Sequence, residues 1–240
     1  MIRFIVSSAT YQQSSRSRPE LAERDPQNTL VARQNRFRLE AEAIRDGYLA
    51  AGGLLNDEVG GPSFHPYMPN DVKALGTAGA FTWVDTEGAQ KYRRGLYIYA
   101  QRTVPYPVSM LFDQANPSET CPQRERSDTP LQALTLLNNG IFVECAHGLA
   151  RWMMARPGGS PREKIGSGFE RCMGREPAST ELGRLERLFK DERRFGQGNR
   201  ASVAGPGQGT ADPATVESDG AAYMTVAQVL MNLDEFVTRE

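Results

Sequence analysis

A chain of 240 residues with 39% hydrophobic and 24% charged side chains can bury a sizeable core, and its formal charge of −1 gives no global pull towards nucleic acid or anionic lipid. Only Lys73, Lys91, Lys164 and Lys190 among its 28 cations are lysines; the arginine bias fits planar forks for carboxylates, sulfates or phosphates, or simply a GC-rich coding sequence. Cys121, Cys145 and Cys172 are too dispersed for a CxxC zinc or thioredoxin motif or a CxxCH haem attachment, and no apolar stretch reaches membrane-spanning length.

The opening MIRFIVSSATYQQSS has too short an apolar run for a signal-peptide core. Residues 28–51 read as one long helix ending at Gly52-Gly53, with Phe37, Ala41, Ile44 and Tyr48 at helical spacing and Leu30 in phase. With Phe37 at zero and about 100° per residue, Arg45, Arg38 and Glu42 fall at roughly 80°, 100° and 140°. They would border the apolar stripe, while Arg36, Glu40 and Asp46 would point elsewhere. The strip reads either as half-buried ion pairs or as a solvated face. The second is poorly arranged, because Arg38 precedes Glu42 and the better i,i+4 order is acid first.

Residues 52–71 form a loop dense in Gly and Pro, holding His65 and Tyr67 on extended backbone between Pro62, Pro66 and Pro69. With no second histidine nearby, His65 reads as a hydrogen-bonded structural residue more readily than as a metal ligand. Segments 81–84 and 95–100 flank a turn-rich DTEGAQ and are candidates for a short β-hairpin, with a helix as the alternative for the second. KYRRGLYIYAQRT interleaves Lys91, Arg93, Arg94 and Arg102 with Tyr92, Tyr97 and Tyr99. Such a pattern suits base stacking or aromatic sugar subsites, but without a basic domain nucleic acid is not expected.

Thr129-Pro130 is a strong helix start, and Leu131, Leu134 and Leu137 line one face of what looks like a plain core helix until Asn138-Asn139-Gly140. Further helices are expected over 141–155 (Ile141, Cys145, Leu149, Trp152), 161–173 (Ile165, Phe169, Cys172) and 178–195 (Leu182, Leu185, Phe189). Cys145 and Cys172 fall on apolar stripes and should be buried thiols. Residues 196–220 read as a flexible insertion, and 221–237 as a last helix folding Val226, Leu230, Leu233 and Val237 back onto the bundle. The expected fold is mainly α: an irregular, loop-rich helical bundle over 1–240, possessing one short β-hairpin at most, with its core in 1–195.

The segments RFRLEAEAIRD, GGPS, YRRGLY, RERSDTPLQALTLLNN and NLDEF, in that order across the chain, resemble the domain-of-unknown-function family 1553 (DUF1553). Its members are typical of planctomycetes and related bacteria and usually form the C-terminal part of a larger, exported protein. The resemblance implies upstream modules: a c-type cytochrome domain bearing haem, a second uncharacterised domain, and sometimes a carbohydrate-binding module. It also implies that this chain is a fragment, since RFIVSSATYQQSS looks like the middle of the family's sequence, and that its location is periplasmic or extracellular. Tyr223 stands where the family pattern suggests Trp, and the 196–220 insertion is longer than usual. The family has no settled activity.

Arg124, Glu125 and Arg126 precede a helix whose free amides and dipole favour an anion, so two arginines there require answering carboxylates. Asp113, Asp128 and Glu42 are the expected partners, with Arg93 and Arg94 adding positive charge. A semi-buried network should therefore join the 28–51 helix, the 93–102 segment and the 124–129 turn. It would either lock a loop-rich core or frame a cleft for an acidic or polyhydroxyl ligand.

Three functions follow. The first is a non-catalytic helical domain of an exported multidomain protein, structural or serving for binding and docking, with the upstream domains and carbohydrate as its expected partners. The second is a polysaccharide-active enzyme using two of Asp113, Glu119, Glu125 and Asp128. The third is an electron-transfer partner presenting Trp83 or Trp152 at its surface. No serine–histidine–acid spacing, phosphate loop or HExxH motif is present.

Overall fold

The computed structural model describes residues 1–16, 18–75, 82–157, 159–198 and 218–239. About 52% of it is helical, and the described residues contain a single two-stranded antiparallel pair, so the fold is mainly α. In chain order the elements are α1 (Ile2–Val6), α2 (Pro19–Ala22), β1 (Phe37–Arg38), α3 (Ala41–Ala51), α4 (Asn70–Lys73) and two 3-10 turns, Gly88–Tyr92 and Gly95–Tyr97. There follow α5 (Pro107–Leu111), α6 (Pro130–Asn138), α7 (Gly140–Ala155), α8 (Pro161–Met173), α9 (Ser179–Gly198), α10 (Ser218–Met231), α11 (Asp234–Val237) and β2 (Thr238–Arg239).

The centre is α7, which packs against α3, α6, α8 and α10. Its Cys145, Leu149, Ala150 and Met153 are buried together with Ile44, Tyr48 and Leu49 of α3, Ile165 and Phe169 of α8, Leu185 and Phe189 of α9, and Val226, Leu230 and Met231 of α10. The Tyr48 hydroxyl is satisfied inside this core by donating to the Met231 carbonyl at 2.6 Å, as a buried phenol requires. The backbones of α3 and α7 nearly touch where Gly52 faces Cys145 and Gly148: a Cβ on Gly52 would lie 2.6 Å from the Cys145 carbonyl oxygen. The open end of α3 is closed by Arg171, which donates to the carbonyls of Ala50 and Ala51 at 3.0 and 2.7 Å. A smaller core of Met68, Trp83, Val104 and Tyr106 sits beneath the loops.

Four sequence expectations need correction. Residues 28–40 are not helical, and α3 starts only at Ala41. Asp25 accepts from the amides of Thr29 and Leu30, and Asn28, at positive φ, holds the Arg33 carbonyl, so side chains take over backbone partners that a helix would need. Phe37–Arg38 instead pairs with Thr238–Arg239, and this is the fold's β element. The proposed pairing of 81–84 with 95–100 is replaced by the 3-10 turn at Gly95–Tyr97 and a bridge from Ile98 to Phe64; Phe81 lies outside the described residues.

The third correction concerns α6: Leu131 and Leu134 are 58% and 55% exposed, whereas Gln132 and Leu136 are buried. Gln132 turns the helix because its amide closes the capping box with Thr129 and also donates to the Leu111 carbonyl. The fourth is the last helix, which breaks at Asn232–Leu233 before β2, although Val226, Leu230 and Val237 do pack inward. Of the 196–220 stretch, residues 196–198 end α9, 218–220 begin α10, and 199–217 lie outside the described residues.

Candidate functional site

The polar centre is built on α3 and the loops that lie across it. Arg93 is 1% exposed, and its guanidinium plugs the Gly-Gly-Pro turn by donating to the carbonyls of Gly60 and Pro62. Gly60 and Gly61 both adopt positive φ to bend this turn around the fork. The Tyr97 ring covers the guanidinium at 3.9 Å, and its hydroxyl accepts from the Gly60 amide at 2.8 Å. Carbonyl oxygens take up both terminal nitrogens of this fork, Nε alone being left without a partner, so Arg93 acts as a structural plug.

On α3, Arg45 is buried, donates to the Lys91 carbonyl at 2.7 Å and faces the Phe64 ring. Burial lowers its pKa, with Tyr106 acting in the opposite direction. Asp46, which the helical wheel turned away from the network, accepts from Arg94 Nε at 3.1 Å and from the Gly95 amide at 2.6 Å. His65 sits among aromatics, 4.9 Å from Trp83 and 4.8 Å from Tyr99 between ring centroids. Burial lowers its pKa, against an upward pull from Asp85. Among the described residues no three His, Cys, Asp or Glu side chains converge on a metal position.

Residues 124–128 have no regular secondary structure, and Arg124, Arg126 and Asp128 all turn towards α3 and β1. Arg124 grips Glu42 with both nitrogens, Nη1 to Oε2 at 2.7 Å and Nη2 to Oε1 at 3.1 Å, and also reaches Glu40 at 3.3 Å. Arg126 stacks on Phe37 at 4.6 Å, and Asp128 pairs with Arg38 at 3.3 Å. Ser127 is pinned from the other side: its amide and hydroxyl donate to Asp113, which adopts positive φ, at 2.6 and 2.8 Å. Gln132 then donates to the Ser127 hydroxyl at 3.0 Å. Burial pushes the Glu42 carboxyl up, but Arg124 and Gln114 outweigh it and hold the group below its ordinary value. Arg124 is correspondingly raised by Glu42, against burial.

The structure thus joins α3 to the 93–97 and 124–128 segments, but not as one cluster. Arg38, Glu42 and Arg45 take three separate partners, and Asp113 serves Ser127 rather than an arginine. Above the 124–128 segment lies a cleft of about 950 Å3, lined by Phe37, Glu40 and residues 121–127. Arg126 and Glu125 are exposed there, and neither has an ion pair among the described residues.

Sequence reasoning missed Phe37, Glu40, Asp46, Ser127 and Gln132 as parts of this site. The Thr129-x-x-Gln132 spacing signalled Gln132 through its capping box, and nothing local signalled the rest. Trp83, offered as a surface aromatic, is buried, and its indole donates to the Pro66 carbonyl. Trp152 is half-buried between Arg156 and Arg171.

The family model described as "PSD1: Protein of unknown function (DUF1553)" matches residues 1–189. The chain belongs to the DUF1553 family. The match covers α1 to most of α9 and leaves α10, α11 and the NLDEF segment beyond it, although α10 fills the core that the DUF1553 region builds. No curated protein and no solved structure matches the chain. A c-type haem implied by the resemblance does not fit residues of this chain: Cys145 is buried in α7, Cys172 is half-buried in α8 and Cys121 is exposed in a loop. No helix among the described residues is long and apolar enough to cross a membrane.

Proposed function

We propose that the chain is a non-catalytic binding and docking domain of a larger exported protein, joined there to c-type cytochrome or glycan-associated modules. The supporting observation is the cleft over residues 121–127: its base is locked by Arg124–Glu42 and Ser127–Asp113, while Arg126 and Glu125 remain available to a ligand. A hydrolase would need two carboxyls held across a cleft. Three of the four carboxylates considered for that role are engaged, Asp113 by Ser127, Asp128 by Arg38 and Glu119 by Asn116. The exposed leucines of α6, Leu131 and Leu134, offer surface for neighbouring domains.

The test is a titration of the chain with neutral and charged oligosaccharides, followed by NMR and by chromatography of the saccharide. Saturable shifts confined to residues 121–127, with the saccharide recovered intact, support the reading. Cleavage products, or no saturable shift with any probe, overturn it.

A further inference from the structure

We infer that the cleft over residues 121–127 selects a carboxylate-bearing saccharide, with Arg126 receiving the carboxylate. The inference rests on the binding reading above. Within the cleft Arg124 is already spent on Glu42 and Glu40, so Arg126 is the cation left without a carboxylate among the described residues. Its guanidinium carbon lies 4.6 Å from the centre of the Phe37 ring, a cation–π contact that supports the fork while the side chain stays exposed. A guanidinium so presented matches a carboxylate through two parallel hydrogen bonds.

The neighbours decide what carries that carboxylate. Glu125 and Glu40 line the same cleft, and ionised carboxylates only accept hydrogen bonds. They would repel a run of ligand carboxylates but accept readily from hydroxyl groups. Gln123 adds a side chain that both donates and accepts, while Phe37 and Pro122 supply apolar surface. One anionic group surrounded by hydroxyls on a ring with an apolar face is the chemistry of a uronic-acid unit. An Asp/Glu-rich peptide matches it poorly, because adjacent carboxylates would meet Glu125 and Glu40.

The test titrates the intact chain with aldotriouronic acid, a neutral xylobiose bearing a single uronic-acid unit, and with its methyl ester, using calorimetry and NMR. The acid should bind at residues 121–127, and the ester, lacking the charge, should bind at least about tenfold more weakly. Arg126→Ala should cause a loss of about tenfold or more with an unchanged melting temperature, since the side chain is exposed, and Arg126→Lys should recover only part of it. Equal binding of ester and acid at the cleft would overturn the carboxylate assignment while leaving the binding reading intact. An absence of any saccharide shift at 121–127 would overturn both. Displacement of the saccharide by an Asp/Glu-rich peptide that binds more tightly would also overturn the assignment.

Discussion

Removing Arg124 tests whether the 121–128 segment is locked to α3. The bidentate pair with Glu42 is partly buried, with 31% of the arginine and 21% of the glutamate side chain exposed. Buried charge-assisted hydrogen bonds contribute about 1.5–3 kcal/mol and exposed ion pairs about 0.2–1 kcal/mol, so a coupling of about 1–2 kcal/mol is expected for this intermediate case. Arg124→Ala also leaves the Glu42 carboxylate half-buried with Gln114, bringing the total to about 2 kcal/mol, or a fall in Tm of about 4–8 °C for a chain of this size. A double-mutant cycle of Arg124→Ala and Glu42→Gln, followed by circular dichroism melts, isolates the coupling. The pH dependence gives a second reading. Glu42 is depressed in the folded state below its ordinary value of 4.5. Its contribution is therefore complete above that value and is lost as the pH falls through the lower, folded one. The gap between wild type and Glu42→Gln should close on acidification. Strict additivity of the two substitutions, or a gap that persists in acid, would refute the lock.

At the α3–α7 crossing, Gly148→Ala should destabilise, because its Cβ would meet the Gly52 carbonyl, a backbone group that no rotamer change can move aside. Overpacking of about 3 kcal/mol, the upper end of the usual range, less about 1 kcal/mol of helix propensity, leaves a net loss of about 2 kcal/mol. Gly183→Ala in α9 meets open space and should raise Tm by about 2–4 °C; a melt in which both variants move the same way would contradict the crossing geometry. Alkylation of the native chain at neutral pH should modify Cys121 alone, because burial pushes the Cys145 and Cys172 thiols up to about 12. Mass spectrometry should show one adduct before denaturation and three after it, and rapid labelling of Cys145 in the native state would be incompatible with its place in the core.

The helices legible in the sequence were those with local punctuation. Thr129-Pro130 with Gln132, Asn139, and Ser160-Pro161 with Glu163 each satisfy the first amides of a helix, and Gly174 in the left-handed region ends α8. What was not legible is decided at long range. Residues 28–40 carry a passable helical period, yet β1 finds its partner two hundred positions away, and the loop before it is held by Asp25 and Asn28. The buried face of α6 was misread because Gln132 outweighs two leucines once the Leu111 carbonyl and Ser127 require a donor. The arginine pairs were anticipated in kind. Glu40 was missed because a helix extended back to residue 28 gave it a face it does not have, and Asp46 because its partners, Arg94 and the Gly95 amide, come from a distant segment that a helical wheel does not contain.

The four motifs inside the family match and NLDEF beyond it meet on one seam, and their contacts separate structural duty from ligand capacity. RFRLEAEAIRD supplies α3 and β1. YRRGLY docks on it through Arg94–Asp46 and through Gly95, whose Cβ would lie 2.9 Å from the Glu42 Cα. GGPS wraps Arg93 of YRRGLY, RERSDTP runs along β1 through Arg124, Arg126 and Asp128, and NLDEF closes the other side through Arg36–Asp234 and the Phe236 ring against Tyr48. Nearly every charged motif residue is thereby accounted for by a neighbour within the fold, which is why arginine-rich motifs need not announce an active site. Glu125 and Arg126 are the exceptions: both are exposed at the cleft, Glu125 with no ion pair among the described residues and Arg126 against the Phe37 ring. The ligand site proposed at this place would be a by-product of the contacts that lock the loop, and substitutions at Arg124 and Arg126 should separate: the first acting on stability, the second on binding.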